Sequence, residues 1–431
     1  MADGKHPDRA AIEASQLEQL RSLVAELFPG NKFYTQKLES AGITFDVASL
    51  ADFSARFPFT IKPELVADQL ASPPYGTNLT YPLNRYTRFH QTSGTSGTPL
   101  RWLDTPESWG AMIESWTEIF RAAGVRGDDR VMFAFSFGPF LGFWLAFESA
   151  AQLGCLCLPG GGLSSAARLR MMRDSRANVL CCTPTYAIRL AEAAAEEKID
   201  PRSLEVKTII VAGEPGGSIP ATRARLEALW PGARIFDHHG MTEVGPVTHE
   251  CPAQPGLLHV IESAYFAEVL DPATNRPATS GELVLTTLTR TGSPLLRYRT
   301  GDLVKRATRN TELGTACLCG RHEFVLDGGI LGRVDDMIIV RGVNVYPSAV
   351  EEILRGFGEI AEYRVRVTEE NSLAELRLEI EPVKDIHDLG ALLSRVGKAF
   401  ETALALRVPV SAVPPGTLPR FEMKAQRWLK P

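Results

Sequence analysis

The chain has 431 residues, which exceeds the size of one ordinary domain and predicts two or more. Hydrophobic residues make up 44% of the chain and charged residues 23%, a balance typical of soluble globular proteins. The net charge of −5 gives no indication of a nucleic acid or an anionic membrane as partner.

The N-terminus and the cysteines indicate the compartment. The first residues, MADGKHPDRAAIEASQ, are polar and lack the basic and then apolar pattern of a secretion signal. Seven cysteines, an odd number, without such a signal favour a reducing environment. We therefore predict a cytoplasmic protein.

Helices and short apolar runs alternate in the first half of the chain. Apolar residues recur with helical spacing over 11–28 and 106–123. Strands are predicted in the runs RVMFAFSFG, ANVLCCTP, VKTIIVAGEP and ARIFDHHG, and helical stretches at 185–196 and 219–230 separate them. The repeated order of strand, helix and strand predicts a mostly parallel sheet covered by helices.

The segment from Val131 to Phe147 is uncharged and rich in aromatic residues. Its 17 residues are at the lower limit for crossing a membrane. Because Gly138 and Pro139 interrupt it, we reject a membrane span and predict a buried strand that enters an apolar pocket. Ordinary core packing is the first explanation of the aromatic side chains, and a ligand pocket is the alternative.

The predicted secondary structure changes after about residue 260. The runs AYFAEVLDP, GELVLTTLT and GDLVKRAT predict strands joined by turns, as in an antiparallel or barrel-like sheet. Strand and helix patterns then mix from about residue 336. The predicted fold is therefore α/β. It consists of a large N-terminal domain (1–332) of helix-covered, mostly parallel sheets with a β-barrel-like subdomain (about 260–330), a hinge (333–336) and a small α+β C-terminal lid domain (337–431).

A loop rich in serine, threonine and glycine begins after Thr92. Its residues are Ser93, Gly94, Thr95, Ser96, Gly97 and Thr98. Hydroxyls and unobstructed backbone amides can wrap a polyphosphate, although this is not a Walker P-loop because G-x-x-x-x-G-K-[ST] is absent. Taken alone, a surface linker is the more common explanation, and the motifs that follow reverse that preference.

Further motifs follow in a fixed order along the chain. They are VAGEP (Val211 to Pro215), HHGMTE (His238 to Glu243), YRTGD (Tyr298 to Asp302), GRVDD (Gly332 to Asp336) and a late lysine, Lys424, in MKAQR. Each is weak alone, because turns, helix caps and solvated terminal lysines explain them equally well. In this order they resemble the acyl-adenylate-forming enzymes, and most of all the phenylacetate–CoA ligase branch, over roughly residues 90–427.

The resemblance implies a role for each motif at a nucleotide. Thr242 would contact the α-phosphate, Glu243 would hold Mg²⁺, and Lys424 would neutralise charge during adenylation, with Lys430 as a less favoured rival. Asp302 would accept the ribose hydroxyls and Arg333 would add a ribose or phosphate contact, while Asp335 falls at the family's hinge. The remaining nucleotide contacts would come from the loop 93–98 and from Gly213, Glu214, Pro215, Asp237, His238, His239, Gly240 and Met241.

Two positions depart from the family pattern. Relatives often carry lysine where this chain has Thr98, and glycine where it has Met423. The charge of the phosphates must therefore be met by another group.

The resemblance also places an acyl pocket on the aromatic segment, because flat apolar slots hold aromatic acids by stacking. The residues predicted to line it are Phe135, Phe137, Gly138, Phe140, Tyr186, Ala212, Gly240 and Pro246.

Cys251, His259, Cys317 and Cys319 form a second constellation. Three thiolates and one imidazole make a closed tetrahedral zinc set, which is structural and not catalytic. Buried cysteines without a ligand are the alternative, and His249 and His322 could serve as substitute ligands.

The function predicted on these grounds is ATP-dependent activation of an aromatic carboxylic acid and its transfer to coenzyme A. The cofactors implied are ATP, Mg²⁺, coenzyme A and structural Zn²⁺, and the resemblance makes a homodimer reasonable. Transfer to the phosphopantetheine of a carrier protein is the nearest alternative. A non-catalytic nucleotide-binding regulator is the alternative of another class.

Overall fold

A computed structural model describes residues 6–92, 98–307, 316–341, 343–370, 373–384, 386–421 and 425–429. The helices in these residues are α1 (Arg9–Leu27), α2 (Lys32–Ser40), α3 (Leu50–Arg56), α4 (Lys62–Ala71), α5 (Pro106–Ala122), α6 (Leu141–Leu153), α7 (Ser165–Asp174), α8 (Pro184–Glu196), α9 (Pro220–Leu229), α10 (Pro347–Arg355) and α11 (Leu389–Leu404).

The strands are short in the first half of the chain and longer in the second. They are β1 (Arg88–Gln91), β2 (Arg101–Asp104), β3 (Arg130–Phe133), β4 (Leu156–Pro159), β5 (Val179–Cys182), β6 (Thr208–Val211), β7 (Arg234–Asp237), β8 (Gly240–Met241), β9 (Gly245–Pro246), β10 (Thr248–Glu250), β11 (Leu257–Val260), β12 (Tyr265–Leu270), β13 (Ser280–Thr287), β14 (Tyr298–Lys305), β15 (Val325–Asp327), β16 (Gly332–Arg333), β17 (Ile338–Val340), β18 (Val343–Val345), β19 (Ile360–Glu370), β20 (Leu373–Pro382), β21 (Val410–Ala412) and β22 (Trp428–Leu429).

The helices predicted from periodicity are confirmed as α1, α5, α8 and α9. Helix α5 illustrates why these residues form a helix. The side chain of Thr105 caps its first turn by accepting a hydrogen bond from the Ser108 backbone N–H, and Pro106 occupies the first helical position. Its apolar residues recur every three or four positions and bury Trp109 and Trp116 on one face.

The alternating order of strands and helices is also confirmed. Strands β3 and β4 pair in parallel, and β5 and β6 do the same. All four residues of β5 are buried, as expected of a strand covered on both faces.

The predicted strand in the aromatic segment is correct only for its beginning. Strand β3 ends at Phe133, and the second half of the segment lies in helix α6, which begins at Leu141 beyond Gly138 and Pro139. Leu141, Leu145 and Ser149 are buried at spacings of four, which is the period of a helix and not of a strand. The density of apolar residues had concealed this period.

The chain divides into two compact units. The first contains the described residues of Met1–Gly161 and Asp237–Gly329, and the second those of Gly162–Phe236 and Ile330–Pro431. The first unit carries the antiparallel sheets β12-β13-β14 and β10-β11-β15, which confirms the predicted change to antiparallel pairing.

The second unit contains the predicted small α+β module. Its strands lie in the order β18-β17-β20-β19-β22, with β21 beside β20. Helices α10 and α11 bury Val350, Leu354, Val396 and Phe400 in a core that this module forms from its own residues. The α+β character is confirmed, whereas the boundary and hinge at 333–336 stay predictions.

No helix in the part of the chain that the structure describes combines the length and the apolar character needed to cross a membrane.

Candidate active site

The phosphate-loop motif connects two antiparallel strands. Gln91 at the end of β1 pairs with Arg101 at the start of β2. Thr92 extends this pairing by one residue, because its backbone N–H donates to Leu100 O at 3.0 Å and its hydroxyl accepts from Leu100 N at 3.0 Å. Thr98 is exposed, and Ser93, Gly94, Thr95, Ser96 and Gly97 lie outside the described residues.

The HHGMTE motif forms a tight hairpin after β7. Gly240 pairs with Pro246 and Met241 with Gly245, which leaves Thr242 and Glu243 at the tip. A Cβ atom on Gly240 would lie 2.7 Å from Gly245 O, so only glycine permits this close approach. The glycine of this motif is therefore required by the hairpin itself, in addition to its predicted role at the nucleotide.

His239 and Asp302 meet in the first unit although 63 positions separate them in the sequence. The His239 Nε2 atom lies 3.2 Å from Asp302 Oδ2, and the Asp302 side chain is almost fully buried. The backbone N–H of His239 donates at 2.9 Å to the hydroxyl of Thr248, the first residue of strand β10, which fixes the position of His239 relative to that strand. The two residues predicted to contact adenosine thus lie beside each other.

Asp237 and His238, which precede this pair, are both buried. The His238 ring meets Trp116 edge to face at 4.4 Å between centroids. Burial, with a smaller contribution from neighbouring His239, lowers the pKa of His238 to about 3, so this imidazole is neutral near pH 7. The Asp237 backbone N–H lies 3.4 Å from Glu250 Oε2 on strand β10.

Glu243, the predicted magnesium ligand, already has a cationic partner. The Lys62 ammonium lies 3.2 Å from Glu243 Oε1, and the Glu243 side chain is 8% exposed against 38% for Lys62. Lys62 is the first residue of α4 and comes 181 positions before Glu243. No sequence motif pointed to Lys62, because the contact arises only in the folded chain.

Arg290 fixes the backbone on which Thr242 and Glu243 stand. Its guanidinium donates to the Thr242 and Glu243 carbonyl oxygens, each at 2.9 Å. It also forms a two-point ion pair with Asp104 at 2.6 and 2.7 Å, and both side chains are almost completely buried. Since Asp104 is the last residue of β2, this ion pair connects the β1–β2 pair to the HHGMTE hairpin. Sequence analysis did not single out either residue.

Glu214 of the VAGEP motif has its carboxylate bound to two backbone amides of the second unit. One oxygen accepts from Thr185 N at the start of α8, and the other accepts from Ala425 N, each at 2.9 Å. Its neighbours Ala212 and Pro215 are partly and largely exposed, and Gly213 has a φ of +93°, a left-handed conformation that favours glycine. Glu214 therefore contacts the residue that follows Lys424 in the chain.

The segment after Lys424 is fixed at two more points. Arg427 forms a two-point ion pair with Glu362 at 2.6 and 3.1 Å, and β22 pairs in parallel with β19. Lys424 itself, Met423 and the rival Lys430 lie outside the described residues.

Arg333 and Asp335 lie together at the predicted hinge. The guanidinium of Arg333 donates to both carboxylate oxygens of Asp335, at 2.9 and 3.2 Å. The roles of both residues stay predictions.

The aromatic side chains of the predicted pocket pack on one another. Phe135 stacks on Phe143 with ring centroids 4.0 Å apart, and Phe137 meets Phe147 and Trp144 at 5.5 and 5.0 Å. Phe137, Gly138 and Phe140 are only partly buried, so the end of the segment reaches the surface of its unit. These contacts explain most of the aromatic residues as packing and leave a lining role for the partly exposed ones.

Tyr186 belongs to the second unit and is fully buried there. Its hydroxyl lies 3.0 Å from Ser165 Oγ, and the Arg168 guanidinium lies 4.8 Å from the centre of its ring. Its predicted contact with a substrate stays a prediction.

The cysteine and histidine set comes together in the first unit. One ligand atom each from Cys251, His259, Cys317 and Cys319 lies within 4.8 Å of the others. Cys251 and Cys317 have sulfur atoms 3.6 Å apart, and Cys319 Sγ lies 3.5 Å from His259 Nε2. A tetrahedral zinc ion with bonds of about 2.0–2.3 Å requires ligand separations of roughly 3.5–3.8 Å, so these residues fit the ion. No disulfide joins the seven cysteines.

Comparison with known proteins identifies the family. A family model described as AMP-binding enzyme matches residues 89–287, and one described as AMP-binding enzyme C-terminal domain matches residues 342–430. A phenylacetate–coenzyme A ligase of Thermus thermophilus is 33% identical over 438 aligned positions, which span 96% of this chain and 95% of the relative. The chain belongs to the phenylacetate–CoA ligase branch of the acyl-adenylate-forming enzymes. It is an enzyme of the AMP-forming acid–thiol ligase class, as the motif order predicted.

Other members of this family agree in length and in fold. A phenylacetate–coenzyme A ligase of Pseudomonas putida is 29% identical, with 96% of this chain and 93% of the relative aligned. The crystal structure of a 2-hydroxyisobutyryl-CoA ligase in complex with 2-HIB-AMP matches with a TM-score of 0.92 and 30% identity, covering 100% of this chain and 93% of that one. The predicted adenylate-forming fold is thus confirmed.

Proposed function

We propose that the enzyme joins an aromatic carboxylic acid, of the benzoate, aminobenzoate or phenylacetate type, to coenzyme A at the expense of ATP. The observation that carries this proposal is the contact between His239 and Asp302, with Glu243 on the hairpin that directly follows His239. The phenylacetate–CoA ligases to which the chain is similar support an aromatic acid, and the partly exposed rings of Phe137 and Phe140 suit one.

In the first step, an oxygen of the substrate carboxylate attacks the α-phosphorus of ATP, and pyrophosphate leaves. Asp302 holds the ribose hydroxyls as acceptor, and Thr242 donates to an α-phosphate oxygen. Lys424 is assigned to stabilise the developing negative charge, as the family resemblance implies, because a positioned ammonium stabilises such charge strongly in a site without water. Mg²⁺ held by Glu243 would offset the charge of the phosphates when bound, since a carboxylate suits this hard cation.

In the second step, the thiol sulfur of coenzyme A loses its proton and attacks the acyl carbon of the adenylate. The bond between the acyl carbon and the phosphate oxygen breaks, and AMP leaves with the electron pair of that bond. The segment with Lys424 has completed its task by then, and a turn about Asp335 opens the path for the thiol. Delivery to a carrier-protein phosphopantetheine uses the same thiol chemistry and differs only in the docking partner.

We also propose that Cys251, His259, Cys317 and Cys319 bind one zinc ion with a structural role. The separation of their ligand atoms and the closed set of four ligands support this assignment. The set lies next to β10, and β10 holds His239 through Thr248. The ion would therefore stabilise β10, the strand to which His239 of the HHGMTE motif is hydrogen-bonded.

Pyrophosphate exchange with a panel of acids tests the substrate class. Labelled pyrophosphate should enter ATP in the presence of benzoate, aminobenzoate or phenylacetate, and mass spectrometry should then detect the corresponding CoA thioester. Exchange with 2-hydroxyisobutyrate and with none of the aromatic acids would instead assign the enzyme to short hydroxy acids. Exchange without a CoA product would favour a carrier protein as acceptor.

Lys62 should supply the phosphate contact that Thr98 cannot. If Glu243 held Mg²⁺, the Lys62 ammonium that now lies 3.2 Å from Glu243 Oε1 would be available for the β- and γ-phosphates. We expect Lys62→Met to weaken ATP binding by roughly 10–100-fold, the value of one hydrogen bond to a charged group, and to leave AMP binding unchanged. Calorimetric titration with each nucleotide measures the difference.

Lys32→Met is the matched control, because Lys32 is also the first residue of a helix and is exposed. Equal losses of ATP and AMP affinity in Lys62→Met would show that Lys62 only supports the structure around Glu243.

A further inference from the structure

Behind His259, a proposed zinc ligand, lies the partly buried carboxylate of Glu323, which the family motifs do not include. The Oε2 atom of Glu323 is 3.2 Å from His259 Nδ1, the ring nitrogen on the side away from the cysteines. The other ring nitrogen, Nε2, lies 3.5 Å from Cys319 Sγ and so faces the proposed ion. One imidazole thus bridges the thiol cluster and a carboxylate.

Glu323 is itself held on several sides. Arg321 donates to its other oxygen, Oε1, at 2.9 Å and to Glu118 on helix α5 at 2.6 Å. The Nε2 atom of fully buried His249 lies 3.5 Å from Glu323 Oε2, while its Nδ1 lies 3.0 Å from Glu250 O. Arg321 and His249 therefore lie beside the Glu323 carboxylate that contacts His259, and Glu118 lies on the far side of Arg321.

The two histidines hold this arrangement across the sheet. His249 on β10 and His259 on β11 are register partners, and their rings stack with centroids 5.2 Å apart at an angle of 8°. Glu323 approaches the edge of both rings from the segment that follows Cys319. A 180° flip of the His259 ring would lose its contact with Glu323, and a tilt of the ring out of its plane would also disrupt its stack on His249.

A carboxylate that accepts the second N–H of a metal-bound histidine fixes the ring's tautomer and orientation and raises its basicity. The Glu323 position meets that requirement. The same three groups, Glu118, His249 and Glu323, could instead hold a cation of their own, since one ligand atom of each lies within 4.8 Å of the others. Arg321 argues against a second ion, because its positive charge already lies between the two carboxylates.

We propose that Glu323 is a positioning residue of the metal centre, which orients His259 toward zinc and is held in place by Arg321 and His249. This inference rests on the proposed zinc site and not on the identity of the acid substrate. Its effect is on how tightly the ion is held.

The experiment compares zinc release from the full-length purified protein and from two variants, Glu323→Gln and Glu118→Gln. Elemental analysis first gives the zinc content, and competition with a chromophoric chelator then gives the affinity. We expect one zinc per chain in the wild type and a loss of affinity of about 10–100-fold in Glu323→Gln. Glu118→Gln keeps the contact between Glu323 and His259, so its zinc affinity should stay within about twofold of the wild type.

The outcomes separate the possible failures. A metal-free wild type would remove the zinc site itself, whereas a zinc-bound wild type with unchanged affinity in Glu323→Gln would overturn only the role of Glu323. Equal losses in both variants would show a general loosening of the network. Two zinc ions per chain, with one lost in Glu118→Gln, would make the carboxylates ligands of a second ion. If Glu323→Gln fails to fold, Glu323→Asp, which keeps the charge on a shorter side chain, gives the same comparison.

Discussion

Replacing Lys424 by alanine is expected to slow adenylate formation on the order of 10²–10³-fold, because the proposed role of this lysine is to stabilise the negative charge that develops in the first step. Thiolysis of an acyl-adenylate supplied ready-made should continue at nearly the wild-type rate, since the proposed role is confined to the first step. Pyrophosphate exchange measures the first step, and release of AMP from the supplied adenylate measures the second.

Lys398→Ala is the control for this experiment, because Lys398 is an exposed lysine of helix α11. It should leave both steps unchanged. An equal loss of both steps in Lys424→Ala would contradict the assignment of Lys424 to adenylation alone.

Arg290→Met should lower the free energy of unfolding by about 3–5 kcal/mol, because it leaves the charge of Asp104 buried without its partner. The substitution also removes the two hydrogen bonds to the Thr242 and Glu243 carbonyls, so ATP affinity should fall in the protein that remains folded. Urea unfolding followed by tryptophan fluorescence reports the first effect, since the Arg290 guanidinium lies 5.2 Å from the Trp102 ring. Nucleotide titration reports the second.

A double variant tests the role of charge at this ion pair, and a variant of an exposed ion pair serves as the control. Combining Arg290→Met with Asp104→Leu removes both charges and should recover much of the lost stability. Arg85→Met, which breaks an exposed ion pair with Glu107, should cost less than about 1 kcal/mol. If Arg290→Met lowered the free energy of unfolding no more than Arg85→Met does, the buried ion pair between Arg290 and Asp104 would not be what stabilises this part of the fold.

Much of the architecture could be predicted from the sequence because local patterns determine it. The capped periodicity of α5, the short apolar runs of β5 and β6 and the later antiparallel strands are all visible over ten or so residues. The clustering of Cys251, His259, Cys317 and Cys319 could be predicted because thiols and imidazoles are rare enough to stand out, whereas the zinc ion itself stays a proposal. The family motifs could be recognised because backbone requirements, such as the close approach at Gly240, fix their letters.

The rest depends on contacts between distant parts of the chain. Lys62 meets Glu243, and Arg290 meets Asp104, across 181 and 186 positions, and nothing in the neighbouring residues marks either pair. Glu214 was assigned to a nucleotide pocket by its motif, while its carboxylate oxygens accept from Thr185 and Ala425. The first half of helix α6, Leu141 to Phe147, is uninterruptedly apolar apart from one glycine, and this composition weakens any periodic signal.

Oxygen labelling tests the acyl-adenylate most directly. A substrate acid with ¹⁸O in both carboxylate oxygens is incubated with the enzyme, ATP, Mg²⁺ and coenzyme A, and the nucleotide product is analysed by mass spectrometry. If the carboxylate attacks the α-phosphorus, each AMP carries one ¹⁸O atom, because the thiol later cleaves the bond between that oxygen and the acyl carbon. AMP without label, or ADP with labelled phosphate, would contradict adenylation as the route of activation.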